Sequence, residues 1–144
     1  MAGLPVPIVA IVIGEGGSGG ALDVGVCDRL LMLEFGVYSV ISPEGCASIL
    51  WKDQAKVDQA AAQMKMTADD LRALGVVDEV IGEPPGGAHH SHDAAAQIVG
   101  DAVARHLRQL SELPPQALLD QRYAKYRALG RFEEGVASQA SSAT

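Results

Sequence analysis

Apolar residues fall in short unbroken runs near the start of the chain and in spaced stripes towards its end. Pro7-Ile8-Val9-Ala10-Ile11-Val12-Ile13 contains no polar position, so residues 6–13 predict a strand buried on both faces. Arg29-Leu30-Leu31-Met32-Leu33-Glu34 and Val37-Tyr38-Ser39-Val40-Ile41 predict two more, and Val76 to Ile81 a short fourth. The first strand comes almost at once and calls for neighbours on each side, which are expected in sequence outside this chain. Ser42-Pro43-Glu44 marks a helix start, Ser42 as cap and Pro43 at the first helical position, with the helix running to Trp51. A second helical stretch covers 54–63. Thr67-Ala68-Asp69-Asp70 has capping-box spacing, and Gly75 ends the helix it opens. Gly82 to Asp93 reads as a loop. Val99, Val103, Leu107 and Leu110 form a stripe at helical spacing, a core face or a subunit interface, and Leu113-Pro114-Pro115 separates it from a last helix over 116–129. Residues 135–144 are nearly all Ala and Ser and are expected to be disordered. No internal repeat is visible.

Between the first strand and a helix predicted over 18–27 lies Gly14-Glu15-Gly16-Gly17-Ser18-Gly19-Gly20. A strand, a glycine turn and a helix start in that order aim backbone N–H groups at negative charge. Glycine tolerates positive φ there and lets a ligand atom touch the backbone. Three readings stay open. Gly14 to Gly19 satisfies G-x-G-x-x-G, and Glu34 stands 20 residues after Gly14, as in a dinucleotide-binding oxidoreductase. Against it, no second mononucleotide-binding half is visible, and five glycines in seven positions exceed its needs. The second reading is an oxyanion hole, the third a tight turn with no ligand. A phosphate-binding Walker loop is excluded, because no Lys-Ser/Thr follows Gly20.

At 144 residues the chain is one domain or part of one. Hydrophobic residues make up 48% but aromatics only 4%, so small aliphatic side chains must do the packing. The formal charge of −7, with no Lys or Arg before Arg29, argues against nucleic acid or an anionic membrane as a general partner. The first apolar run is too short to span a bilayer and lacks the basic start of a signal peptide, which predicts a cytoplasmic protein. Cys27 and Cys46 are the only cysteines and read as reduced thiols. His89, His90 and His92 could hold a metal, but no carboxylate or cysteine at ligand spacing accompanies them, so a solvated loop and no metal are expected. Arg122, Tyr123, Lys125, Tyr126, Arg127 and Arg131 read first as a charged surface face. Glu15 reads as a turn or interface residue, with a general base as the sharper alternative.

Three strings are longer and more distinctive than any of these patterns: Ile13 to Leu22, Tyr38-Ser39-Val40-Ile41-Ser42-Pro43-Glu44-Gly45-Cys46-Ala47-Ser48-Ile49-Leu50-Trp51-Lys52, and Glu83-Pro84-Pro85-Gly86-Gly87-Ala88-His89. Over residues 4–130 the chain resembles the alpha subunit of the carboxyltransferase of bacterial acetyl-CoA carboxylase. That resemblance implies an α/β fold of the crotonase-like type, an incomplete spiral of ββα units with C-terminal helices. Family members are about twice this length, so 1–134 would be the C-terminal portion of the domain, followed by the 135–144 tail. It implies transfer of a carboxyl group from carboxybiotin, on a separate carrier protein, to acetyl-CoA, giving malonyl-CoA for fatty-acid biosynthesis in an ATP-dependent complex. The implied partners are a beta subunit bearing a zinc ribbon, in a heterotetramer of two alpha and two beta chains, the biotin carboxyl carrier protein and biotin carboxylase. Gly19 and Gly20 match the family's oxyanion-hole pair, facing biotin's carbonyl. Gly16, Gly17, Ser18, Ser42, Pro43, Glu44 and Gly45 would line the substrate pocket, and the basic helix would touch the beta subunit or CoA phosphates. No general base stands out, which agrees with a family mechanism in which biotin itself takes the proton. A non-catalytic module dependent on a partner is the remaining alternative.

Overall fold

The computed structural model describes residues 1–130. Arg131, the end of the expected domain and the Ala/Ser tail lie outside the described residues. Along the chain come β1 (Val9–Val12), β2 (Glu15–Gly17), α1 (Ser18–Val24), β3 (Arg29–Leu33), β4 (Val37–Ser39) and α2 (Pro43–Trp51). A 3-10 turn (Gln54–Lys56) leads into α3 (Val57–Met64), followed by α4 (Ala68–Ala73), β5 (Glu79–Ile81), α5 (His92–Ser111) and α6 (Pro115–Arg127).

The strands form two parallel sheets, β1-β3-β5 and β2-β4. Val9 stands beside Arg29, Leu31 beside Glu79, and Glu15 beside Val37. Each ββα unit therefore gives its first strand to one sheet and its second to the other. The glycine turn is not simply a turn: its residues 15–17 are β2, paired with β4. Three residues, two of them glycine, carry no strand pattern of their own, so the partner strand makes the element. β1 is shorter than its apolar run, and β5 than the strand predicted over Val76 to Ile81. Helix ends also differ from expectation: α5 starts at His92, inside the expected loop, α1 stops at Val24, and α6 runs Pro115–Arg127 rather than 116–129.

The unbroken run Leu30–Leu33 is explained by burial on both faces. Leu30 and Met32 join Val12, Cys27, Tyr38 and Leu71 in one cluster, while Leu31 and Leu33 join Ile81 and Ala102 in another, against α5. Each such leucine contributes roughly 1.5–3 kcal/mol. On α5 the buried face is Ala102, His106 and Leu110, with Val99 and Val103 packed at its edge; Leu107 is off that face and exposed. The caps form as their sequences require: Ser42 Oγ accepts from Gly45 N–H at 3.2 Å, and Thr67 Oγ1 from Asp70 N–H at 3.4 Å.

A structural repeat, invisible in the sequence, closes the end where β3 and β5 begin. Asp28 N–H donates to the Ile8 carbonyl at 2.9 Å and its carboxylate accepts Ile8 N–H at 2.7 Å. Asp78 treats Leu30 the same way, at 2.8 and 2.6 Å. Across both aspartates lies α6. Arg122 forks onto Asp28, Nε to Oδ1 at 2.9 Å and Nη2 to Oδ2 at 2.8 Å, and Lys125 pairs with Asp78. The remaining Arg122 donors reach the carbonyls of Met1, Ala2, Leu4 and Val6. Arg122 is only 2% exposed, so the expected charged surface face of this helix is corrected: Arg122, Lys125 and Tyr126 turn inward, and Tyr123 and Arg127 outward. The i, i+3, i+4 spacing of the three places them on one side of α6. Tyr126 completes the set. Its hydroxyl donates to the Gly25 carbonyl at 2.6 Å and accepts Cys27 N–H at 2.8 Å. Desolvation pushes its pKa up to about 12, so that proton stays in place. Among the described residues no helix is long and apolar enough to cross a membrane.

Candidate functional site

The site is assembled where β1 ends. β2 leaves β1 through Gly14, whose carbonyl accepts Val37 N–H at 2.9 Å, and Gly16 comes to rest beside Tyr38. A Cβ at Gly16 would stand 2.8 Å from Tyr38 Cδ2, so no larger residue fits. Ser18 then turns the chain into α1 with φ 69°, a left-handed backbone that only a few per cent of non-glycine residues adopt. Strain of this kind concentrates at functional sites.

Gly19 and Gly20 follow at the start of α1, both exposed, and a Cβ added at either would meet nothing within 4 Å. The N–H groups of residues 18–20 precede the first bond inside the helix. The cap, Gly17, has no side chain to accept from them, and the first turn carries no acid. The Gly19 and Gly20 amides therefore have no acceptor within α1.

Grooves of similar size flank β2. One, of about 420 Å³, is lined by Ile11, Ile13, Gly20, Leu30 and Tyr38. The other, of about 410 Å³, brings together Gly16, Gly17, Ser18, Ser42 and Pro43, five of the seven residues expected to line the pocket. Glu44 and Gly45 lie outside it. Glu44 is on the exposed side of α2, its carboxyl held below the usual range by its own amide and the Ser42 hydroxyl. Gly45 is a packing residue: its N–H is used by the Ser42 cap, and a Cβ there would stand 2.7 Å from Ile41. No Lys, Arg or His lines either groove. An anion held here is held by backbone amides.

That arrangement does not suit a dinucleotide. Glu15–Gly17, the middle of the G-x-G-x-x-G pattern, are spent on a paired strand, the helix that follows has seven residues, and no cation waits for a pyrophosphate. Glu34 sits at the end of β3, its N–H bonded to the Ile81 carbonyl. The three histidines stay exposed, His89 and His90 stacked edge to face at 4.2 Å, and no group of three potential metal ligands exists among the described residues. Glu15 lines both grooves and is exposed.

A family model described as acetyl co-enzyme A carboxylase carboxyltransferase-like matches residues 1–130. The chain belongs to this family. The acetyl-coenzyme A carboxylase carboxyl transferase subunit alpha of Synechococcus sp. (strain CC9311) is 57% identical over 141 residues, 98% of this chain and 43% of that protein. Its counterpart in Sorangium cellulosum (strain So ce56) is 58% identical over 132 residues, 92% of this chain and 42% of that one. The chain thus spans less than half the length of the curated relatives it matches. A chain from the crystal structure of a Pseudomonas malonate decarboxylase hetero-tetramer in complex with coenzyme A superposes with a TM-score of 0.63, over 84% of this chain and 49% of that one, at 18% identity. The fold is accordingly α/β and crotonase-like. In this carboxyltransferase-family chain, the residues that sequence reasoning missed are those that support the turn: Tyr38 beneath it and the Asp28–Arg122 pair behind β1. The sequence signal for Tyr38 is the pair of glycines, Gly16 and Gly25, that make room for it.

Proposed function

We propose that this chain supplies the alpha half of a carboxyltransferase site of acetyl-CoA carboxylase, which passes a carboxyl group from carboxybiotin on a carrier protein to acetyl-CoA and yields malonyl-CoA. The observation that carries this reading is the state of Gly19 and Gly20. In a chain of this family, two consecutive exposed glycines open α1, and their amides have no acceptor within the helix. Such donors stabilise an oxygen best where charge develops during the reaction, because they are already oriented and cost no reorganisation. The groove beside them suits the uncharged bicyclic ureido ring of biotin, being lined mainly by aliphatic residues, glycines and Tyr38, with Glu15 as its one charged residue and no cation. Bound carboxybiotin would supply the carboxyl group to be transferred.

In this reading Gly19 and Gly20 donate to the ureido oxygen as it gains charge. The groove that joins β2 to Ser42 and Pro43 takes the acyl end of the thioester. No side chain of the turn is asked to act as nucleophile or base, and Glu15 serves as a contact residue. The remaining parts of the machine are a zinc-ribbon beta subunit, in a heterotetramer of two alpha and two beta chains, the biotin carboxyl carrier protein and biotin carboxylase. All would work in the cytoplasm.

The test is Gly20→Val in a complex with a full-length alpha subunit. Valine keeps the backbone N–H but sets a branched side chain at the groove that Gly20 lines, so the reacting oxygen no longer reaches the amide pair; loss of one such donor contact typically costs about 10²–10³ in rate. The expected outcome is loss of carboxyl transfer with assembly intact by size-exclusion chromatography. Normal turnover by the variant would end the reading.

A further inference from the structure

Core packing alone does not hold α1 in place, since none of its seven residues is buried and only Ala21 packs against a core cluster. A buried tyrosine on the neighbouring strand does. Tyr38, on β4, is anchored by its N–H to the Met66 carbonyl at 3.0 Å, and its ring crosses beneath β2. Its hydroxyl donates to the Ala21 carbonyl at 2.9 Å, the same oxygen that accepts Gly25 N–H at 3.0 Å. Two missing side chains permit the contact. At Gly16 a Cβ would press on the ring, and at Gly25 it would stand 2.3 Å from the hydroxyl oxygen. The phenol is thus clasped between the strand that precedes Gly19 and Gly20 and the end of the helix that follows them.

We infer that Tyr38 is a positioning residue for the Gly19–Gly20 amide pair: by fixing the Ala21 carbonyl, one residue beyond Gly20, it sets the rotation of α1 and with it the direction of those two N–H groups. This rests on the oxyanion reading of the pair. Tyr38 does not touch the reacting atoms. Burial raises its pKa, so it keeps the proton it donates.

The experiment uses the assembled complex with a full-length alpha subunit, assayed for carboxyl transfer and by hydrogen exchange. Tyr38→Phe keeps the ring and removes the donor. It is expected to lower kcat about five- to tenfold, the worth of one hydrogen bond. KM for acetyl-CoA should stay within about twofold, as for an interaction made only in the transition state. Exchange should quicken at residues 18–25 and not in β3. Gly25→Ala, whose methyl displaces the hydroxyl, should give the same fall, and the two changes together should add nothing. Wild-type kcat in Tyr38→Phe alongside an inactive Gly20→Val overturns the positioning role and leaves the oxyanion reading standing. A fall explained entirely by loss of folded protein, with unchanged turnover per folded site, also overturns it. Normal turnover in Gly20→Val removes both.

Discussion

Where β3 and β5 begin, Asp28 and Asp78 each bind a neighbouring strand through N–H and carboxylate together, and each receives a cation from α6. Where β1 ends, the chain passes through a strained serine into a helix that buries no side chain and opens with glycine amides that have no acceptor within the helix. The first end spends its polar groups on itself, and the second leaves them free. A preorganised site needs donors that have no acceptor before the reaction, and a frame stiff enough to hold them still. The contrast teaches that stability and activity should respond to different residues, and substitutions can separate the two.

The largest effect on stability is expected from Arg122→Ala. It leaves Asp28 buried and unpaired and strips the carbonyls of Met1 to Val6 of their donors, which costs about 3–5 kcal/mol. The midpoint of urea unfolding should fall accordingly; an unchanged midpoint would show that the strap is not what holds β1. Arg122→Lys should recover only part of the loss, because an ammonium cannot fork onto the carboxylate and reach the carbonyls as well.

A smaller, pH-dependent effect is expected at Glu79. The Arg105 guanidinium, first of all, and then His106 hold its carboxyl well below the usual carboxylate range, at about 2. A carboxylate depressed on folding stabilises the native state above its ordinary pKa of 4.5, and that contribution disappears as pH falls towards 2. The melting temperature should therefore drop less steeply across that acid range in Glu79→Gln than in the wild type. Parallel profiles would mean that the pair contributes nothing.

The smallest change in stability is expected at the open end. Gly19→Ala introduces a methyl that meets no atom within 4 Å and favours helix, so the unfolding midpoint should stay within about 0.5 kcal/mol of wild type or rise slightly. A marked loss would show that Gly19 is a packing residue and would erase the contrast between the two ends.

The features that could be read in the sequence are those with local causes. Leu30–Leu33 announces a strand buried on both faces, and Ser42 and Thr67 announce helix starts, because each acts on N–H groups three residues away. Gly19 and Gly20 were legible as the first turn of a helix for a similarly local reason. The features that could not be read have causes far along the chain. Residues 15–17 become a strand only because β4 lies beside them. A basic helix predicts a wet surface until Asp28, 94 residues from Arg122, gives its charge a buried partner. Leu107 fits the helical stripe, yet His106 takes the buried place because Glu79 is there to receive it at 2.7 Å.

The reach of Arg122 has a consequence for how the protein is made. The contact between its guanidinium and the Met1 carbonyl spans 121 residues, so the whole stretch between them must leave the ribosome before the strap can close. Until then Asp28 lacks its counterion from α6, and only its own bonds to Ile8 hold the nascent β1–β3 pair at its starting end. A chaperone that held the emerging polypeptide until α6 appeared would be covering a seam that synthesis closes late.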